Sequence, residues 1–228
     1  TISAFFNMLK IRVIATLLWN GRTLVKGKSF AADRPVGHPL QAINVFQMRE
    51  VDEIIFLDVT ATKEGRRPDF KLIESLAREC FVPLTVGGGV ASVDDVQDLL
   101  RAGADKVSIK SASYITPEVA ARFGQQVIVR FCELDDHQDG VSWIEHSVGE
   151  VVIQSRARDG TMSGYDLSPF LPHILDAGVP LIASGGCGTY EHMAQAIDAG
   201  ASAVAAGAMW LFTEQTPLEA KKYLAAKG

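Results

Sequence analysis

Short motifs in this chain recur 97 residues downstream. Val82-Pro83-Leu84 returns as Val179-Pro180-Leu181, Gly88-Gly89 as Gly185-Gly186, and Ala102-Gly103-Ala104 as Ala199-Gly200-Ala201; Glu53 and Glu150 keep the same spacing. One offset shared by separate motifs means that two halves are built on one plan. No other feature constrains the fold as tightly.

Short β-branched, apolar runs fill both halves: Arg12–Leu17, Glu53–Val59, Val82–Val86, Lys106–Ile109, Val127–Phe131, Glu150–Ser155, Leu181–Ser184 and Ala203–Ala206. Between most of them lie stretches with helical apolar spacing, at Leu40–Arg49, Phe70–Cys80, Ser92–Ala102, Glu118–Phe123, Leu167–Ala177 and Thr189–Ala199. Strands apolar along most of their length, each followed by a helix, indicate a parallel sheet covered by helices. Eight such units, repeated four plus four, predict an α/β fold, a closed (β/α)8 barrel. No Gly-x-Gly-x-x-Gly follows the first strand, which weighs against an open dinucleotide-binding sheet.

The 228 residues suit one such barrel, expected over residues 8–228, with Thr1–Asn7 read as a foreign remnant ahead of Met8. Hydrophobic residues at 47% and charged residues at 21% exclude disorder. A net charge of −5 argues against nucleic acid or an anionic membrane as main partner. No apolar run reaches the ~20 residues of a membrane span. Cys80, Cys132 and Cys187 are odd in number and lack a CxxC spacing, so a zinc cluster is excluded and a cytoplasmic location expected. His38, His137, His146, His173 and His192 show no metal-ligand spacing; neither metal nor cofactor is predicted.

In a barrel the loops after the strands form the face where chemistry occurs. Gly88-Gly89 ends strand three and Gly185-Gly186 ends strand seven. Glycine lets backbone N–H groups approach an anion, and the next helix N-terminus adds its dipole. With Lys110-Ser111 after strand four and Gly207-Ala208 after strand eight, these turns make two opposed phosphate cradles, suited to a metabolite with a phosphate at each end. The plainer alternative is that the glycines only permit tight turns. Asp159-Gly160-Thr161, after strand six, offers further donors, and Asp58 stands as a carboxylate at the end of strand two, either catalytic or bonded to neighbouring loops.

Longer runs carry a resemblance. Phe56-Leu57-Asp58-Val59-Thr60-Ala61, Thr85-Val86-Gly87-Gly88-Gly89, Gly103-Ala104-Asp105-Lys106-Val107-Ser108-Ile109, Arg158-Asp159-Gly160-Thr161 and Ile182-Ala183-Ser184-Gly185-Gly186 are similar to the cyclase subunit of imidazole glycerol phosphate synthase, from Met8 almost to the C-terminus. The resemblance implies a barrel that receives ammonia from a glutamine amidotransferase docked at its bottom and uses it at the top on a phosphorylated small molecule. It also implies that Arg12, Glu53, Lys106 and Glu150, each at the start of a strand, form a salt-bridged gate for ammonia. A plug that serves stability is the alternative.

Departures cluster at the top. The family's strand-one catalytic aspartate falls on Leu18, and its strand-five aspartate falls near Cys132-Glu133. Leucine carries no proton, and general acid–base catalysis contributes typically ~10²–10⁴-fold. The family's polar amide after strand four is Lys110, and an aspartate after strand six is Ala157, next to Arg156. The segment Asp135–Val148 is short, so one barrel helix is expected to shrink to a turn. With the lower ring kept and the upper pair changed, the sequence favours an ammonia-using synthase subunit acting on another acceptor, such as an acetamido sugar. Glu133, Asp58 and Lys26 are its candidate catalytic groups, Lys26 as a mobile loop lysine that closes over substrate. The histidine-pathway cyclase itself and a non-catalytic barrel that regulates a glutaminase are the alternatives.

Overall fold

The computed structural model describes residues 11–29, 34–134, 147–166 and 178–227. Eight parallel strands run Arg12–Trp19, Glu53–Asp58, Leu84–Gly87, Lys106–Ile109, Ile128–Glu133, Glu150–Gln154, Leu181–Ser184 and Ala203–Ala206. Each pairs with the strand before it, and the eighth closes on the first from Arg12↔Ala203 to Ala15↔Ala206. This is a (β/α)8 barrel.

Alternation along each strand makes two apolar layers. Ile14, Ile55, Val129, Phe131, Val152, Ile182, Ala203 and Ala205 fill the barrel interior. Val13, Ala15, Ile54, Phe56, Val107 and Val204 belong to the larger core shared with helices such as Pro39–Met48, Phe70–Glu79, Val93–Arg101 and Tyr190–Asp198. The Ser92 side chain caps Val93–Arg101 by accepting from Asp95 N, while Asp95 accepts from Ser92 N, a capping box readable as Ser-x-x-Asp.

The repeat holds in three dimensions. Shifted by 97 residues, strand Leu84–Gly87 becomes Leu181–Ser184, helix Val93–Arg101 becomes Tyr190–Asp198, and strand Lys106–Ile109 becomes Ala203–Ala206. Ser92 and Thr189 are matching N-caps, and Gly103 and Gly200 share left-handed φ values of 102° and 107°.

Two departures from expectation shape the mouth. Leu24–Lys26 and Arg34–Gly37 are short antiparallel strands folded back onto strand one, through Leu18↔Val25 and Trp19↔Leu24. Ala208, expected in a loop, begins the short helix Ala208–Phe212, and Pro217–Lys227 adds a last helix against the barrel. The expected helix Leu167–Ala177 and the clipped segment, residues 135–146, lie outside the described residues. No described helix is long and apolar enough to cross a membrane.

Candidate functional site

At the bottom of the barrel, strands one, two, four and six each begin with a charge. Arg12 reaches Glu53 at 2.8 Å and Glu150 at 2.6 Å; Lys106 reaches the same two carboxylates at 3.0 and 2.9 Å. The result is a cyclic, alternating ring of two cations and two anions. Thr85 Oγ1 donates to Glu53 Oε1 at 2.7 Å, so this fully buried carboxylate has several donors. Burial works against the Arg12 charge, but the hydrogen bond to Glu150 and the fields of Glu150 and Glu53 prevail and raise its pKa. The structure brings all four predicted ring residues together.

At the opposite end, a cavity of about 390 Å³ opens between the ends of strands one to six. Leu18, Leu57 and Phe131 give it an apolar wall; Gly88, Gly89, Lys110 and Ser111 form its far rim; Glu133 and Gln154 close it. Gly88 sits at φ 98°, and a Cβ there would overlap the Asp58 carbonyl oxygen, so only glycine lets the two loops approach this closely. Glu133 is held between two cations: it pairs with Lys110, and Arg156 Nη2 donates to its Oε2 at 2.7 Å.

Asp58 lies in the same wall, with its carboxylate engaged by its own loop. Thr60 N and Ala61 N both donate to Oδ1 at 3.0 Å, and Arg66 donates to both oxygens at 3.0 and 3.3 Å. The hydrogen bond to Asp58, with that to Glu64, raises the Arg66 pKa. Of the two roles open to Asp58, these contacts are those of a loop organiser.

The second cradle is nearly shut. A cavity of about 20 Å³ is lined by Lys26, Asp159, Gly160, Gly185, Gly186, Gly207 and Ala208, beside Thr16 and Leu18. Lys26, expected as a mobile loop charge, is instead the last residue of a strand, buried and paired to Asp159 Oδ1 at 2.7 Å. An ion this buried needs a partner, because desolvation costs several kcal/mol, and Asp159 supplies it. The Thr161 hydroxyl is used within its own turn, donating to Arg158 O at 2.7 Å.

Sequence reasoning missed Gln154, which lines both cavities, and Thr16. Their signal is positional, polar residues at inward sites near strand ends. Trp19 is buried with its ring 6.2 Å from Phe56 and caps the core. His192 Nδ1 accepts from Gly188 N at 3.2 Å, a structural contact. Burial pushes the thiols of Cys132 and Cys187 up to about 12. Among the described residues, no group of His, Cys, Asp or Glu is placed to hold a metal.

Comparison with known proteins agrees with this architecture. The profile of the family described as histidine biosynthesis protein matches residues 12–216. The subunit HisF of imidazole glycerol phosphate synthase from Thermobifida fusca is 39% identical over 250 aligned residues, covering 96% of this chain and 98% of that protein. Proteins of the same name from Mycobacteroides abscessus and Frankia casuarinae are each 39% identical, covering 95% and 96% of this chain and 96% and 97% of their own lengths. A closed barrel, its lower ionic ring and near-complete alignment with these relatives lead to one conclusion: the chain belongs to the histidine biosynthesis protein family.

Proposed function

We propose that this chain is the synthase subunit of an ammonia-using pair of the imidazole glycerol phosphate synthase type. A glutamine amidotransferase docks at the lower end of the barrel and supplies ammonia. The nitrogen passes the ring of Arg12, Glu53, Lys106 and Glu150 and reaches a phosphorylated small molecule held at the upper end. The observation that carries this reading is the ring: four charges close the lower mouth with every charge balanced, at the opposite end of the barrel from the upper cavity. Gly88-Gly89 with Lys110 and Ser111, and Gly185-Gly186 with Gly207 and Ala208, are the phosphate cradles. Asp159-Gly160-Thr161 edges the second cradle; Glu133 and Lys26 are the candidate catalytic groups, and Asp58 fixes the loop beside them.

Two acceptors compete. The relatives' names favour imidazole glycerol phosphate formation. Leu18 favours a different acceptor, because hydrocarbon at the mouth of strand one cannot shuttle a proton and Glu133 is tied to two cations. On that reading ammonia attacks an acetamido carbon of a sugar whose amide oxygen has been phosphorylated by a nucleoside triphosphate; the C–N bond forms, the C–O bond breaks with phosphate leaving, and an amidine results.

Amide-¹⁵N glutamine, supplied to the chain with its glutaminase partner and each acceptor in turn, tests all of this. Label in imidazole glycerol phosphate establishes the first acceptor; label only in an amidino sugar establishes the second. Glutamine hydrolysis with no label in either product overturns the synthase reading and leaves a barrel that regulates its partner.

A further inference from the structure

The ribbon that carries Lys26 is fastened at three points to one turn after strand six. Lys26 Nζ meets Asp159 Oδ1 at 2.7 Å, and Ser29 N donates to the Asp159 carbonyl at 2.9 Å. The Gly27 carbonyl lies so close over Gly160 (φ 73°) that no side chain fits between them. The ammonium faces the turn after strand eight: a Cβ built on Gly207 would stand 3.6 Å from Lys26 Cε and 3.8 Å from Nζ. Lys26 therefore sits inside the second cradle.

Two buried polar atoms of residues lining that cavity have no hydrogen-bond partner among the described residues: Asp159 Oδ2 and Thr16 Oγ1. A buried acceptor left unpaired is costly, so both mark polar space that a ligand is placed to complete. Yet a carboxylate cannot itself bind a phosphoryl dianion, because like charges at such range repel. Sequence reading placed Asp159 among the phosphate contacts; its geometry gives it another task.

We propose that Asp159 is a positioning residue for Lys26: it holds the ammonium over the second cradle while the cradle is empty, and yields it to the phosphoryl group that enters. The inference rests on the phosphate cradle of the proposed function. A buried ammonium needs an anion in every state. Asp159 provides it before binding and the phosphate afterwards, so the ribbon stays closed through one lysine with either counter-charge. The cavity of about 20 Å³ has room for roughly one water, far less than a phosphate, so entry requires Lys26 and Asp159 to part.

Hydrogen exchange of the amides of residues 24–29 in the full chain, without and with inorganic phosphate, tests this, with strand Leu181–Ser184 as internal reference. In Asp159→Asn, exchange of 24–29 is expected to rise about tenfold or more, and phosphate is expected to slow it again. In Lys26→Met the same rise is expected with no response to phosphate. Exchange within about twofold of the parent in both variants overturns the latch. A rise in Asp159→Asn that phosphate does not reverse overturns the hand-over, as does equal rescue of Lys26→Met. Where Asp159→Asn also loosens Leu181–Ser184, Lys26→Met decides alone, since it leaves the Ser29–Asp159 backbone bond in place. Failure of the proposed function looks different: no labelled product, with both exchange responses intact.

Discussion

Glu53 and Glu150, one at the foot of strand two and the other at the foot of strand six, hold the same two cations. Each accepts from Arg12 and from Lys106, at distances between 2.6 and 3.0 Å. In such a ring, each charge is balanced by both neighbours, so loss of one member leaves a net charge at a buried site.

Glu53→Gln is therefore expected to destabilise the barrel by about 3 kcal/mol, at the low end for a broken buried pair because Arg12 and Lys106 are partly exposed. Calorimetry should show Tm falling by roughly 6–12 °C. Adding Lys106→Met leaves Arg12 facing Glu150 alone, a neutral remainder, and the double variant is expected to melt above Glu53→Gln. A double variant that melts lower would mean that the ring acts by packing and not by charge balance.

Gly88→Ala and Gly65→Ala separate crowding from backbone strain. Both glycines have positive φ, 98° and 65°, but nothing lies within 4 Å of a Cβ at Gly65, whereas one at Gly88 strikes the Asp58 carbonyl. Gly65→Ala is expected to cost roughly 1–2 kcal/mol in urea unfolding, and Gly88→Ala about 3 kcal/mol or more. Gly88→Ala should also weaken binding of a phosphorylated ligand at the upper cavity, measured by titration calorimetry. Equal costs would count against the close approach of the two loops.

The thiols report on burial. With pKa values pushed up to about 12, Cys132 and Cys187 hold only about one part in 10⁴ as thiolate at pH 8. A colorimetric thiol reagent is expected to leave both unmodified in the native chain for hours, to react slowly with the half-buried Cys80, and to find all three in denaturant. Fast reaction of Cys132 in the native state would contradict the packing of strand five, and of Cys187 the packing after strand seven.

Asp95 gives the fold a pH signature. Burial opposes its charge, but hydrogen bonds from Ala91 N, Arg67 and Ser92 outweigh it and bring its pKa below the ordinary 3.8. A depressed carboxylate stabilises above its unfolded pKa and loses that contribution as pH falls through the folded value. Asp95→Asn is thus expected to lower Tm at pH 7 by roughly 2–4 °C, for about 1 kcal/mol of cap. The gap between parent and variant should shrink as pH drops below 3.8. A gap that stays constant from pH 7 to pH 3 would assign the loss to packing.

Much of this architecture was legible in the chain. Lys106–Ile109, Leu181–Ser184 and Ala203–Ala206 were bounded to the residue, because each is a short apolar run flanked by turn residues and two of them are copies by the repeat. The lower ring was legible for a related reason: a charge at the head of an apolar strand stands out against its own run. What could not be read were contacts that no local pattern encodes. Lys26 and Asp159 lie 133 residues apart and meet because a three-residue strand, too short to show alternation, folds back on strand one. Lys110, Arg156 and Glu133 were each noticed, but only the closed barrel brings the ends of strands four, five and six together around one carboxylate. Strand one runs two residues further than its apolar run shows, and its alternation turns the Trp19 indole outward.

The half-barrel correspondence also shows what each half contributes to the base. Glu53 and Glu150 occupy equivalent positions in the two halves, but the equivalent of Lys106 is Ala203, and the residue just before strand five, which stands where Arg12 does in the first half, is Val127. A homodimer of the first half would crowd four positive groups around two acids, and one of the second half would leave two acids bare. Only the two unlike halves together are electrically neutral at the base, so the ring ties the first half of the barrel to the second by charge as well as by strand pairing.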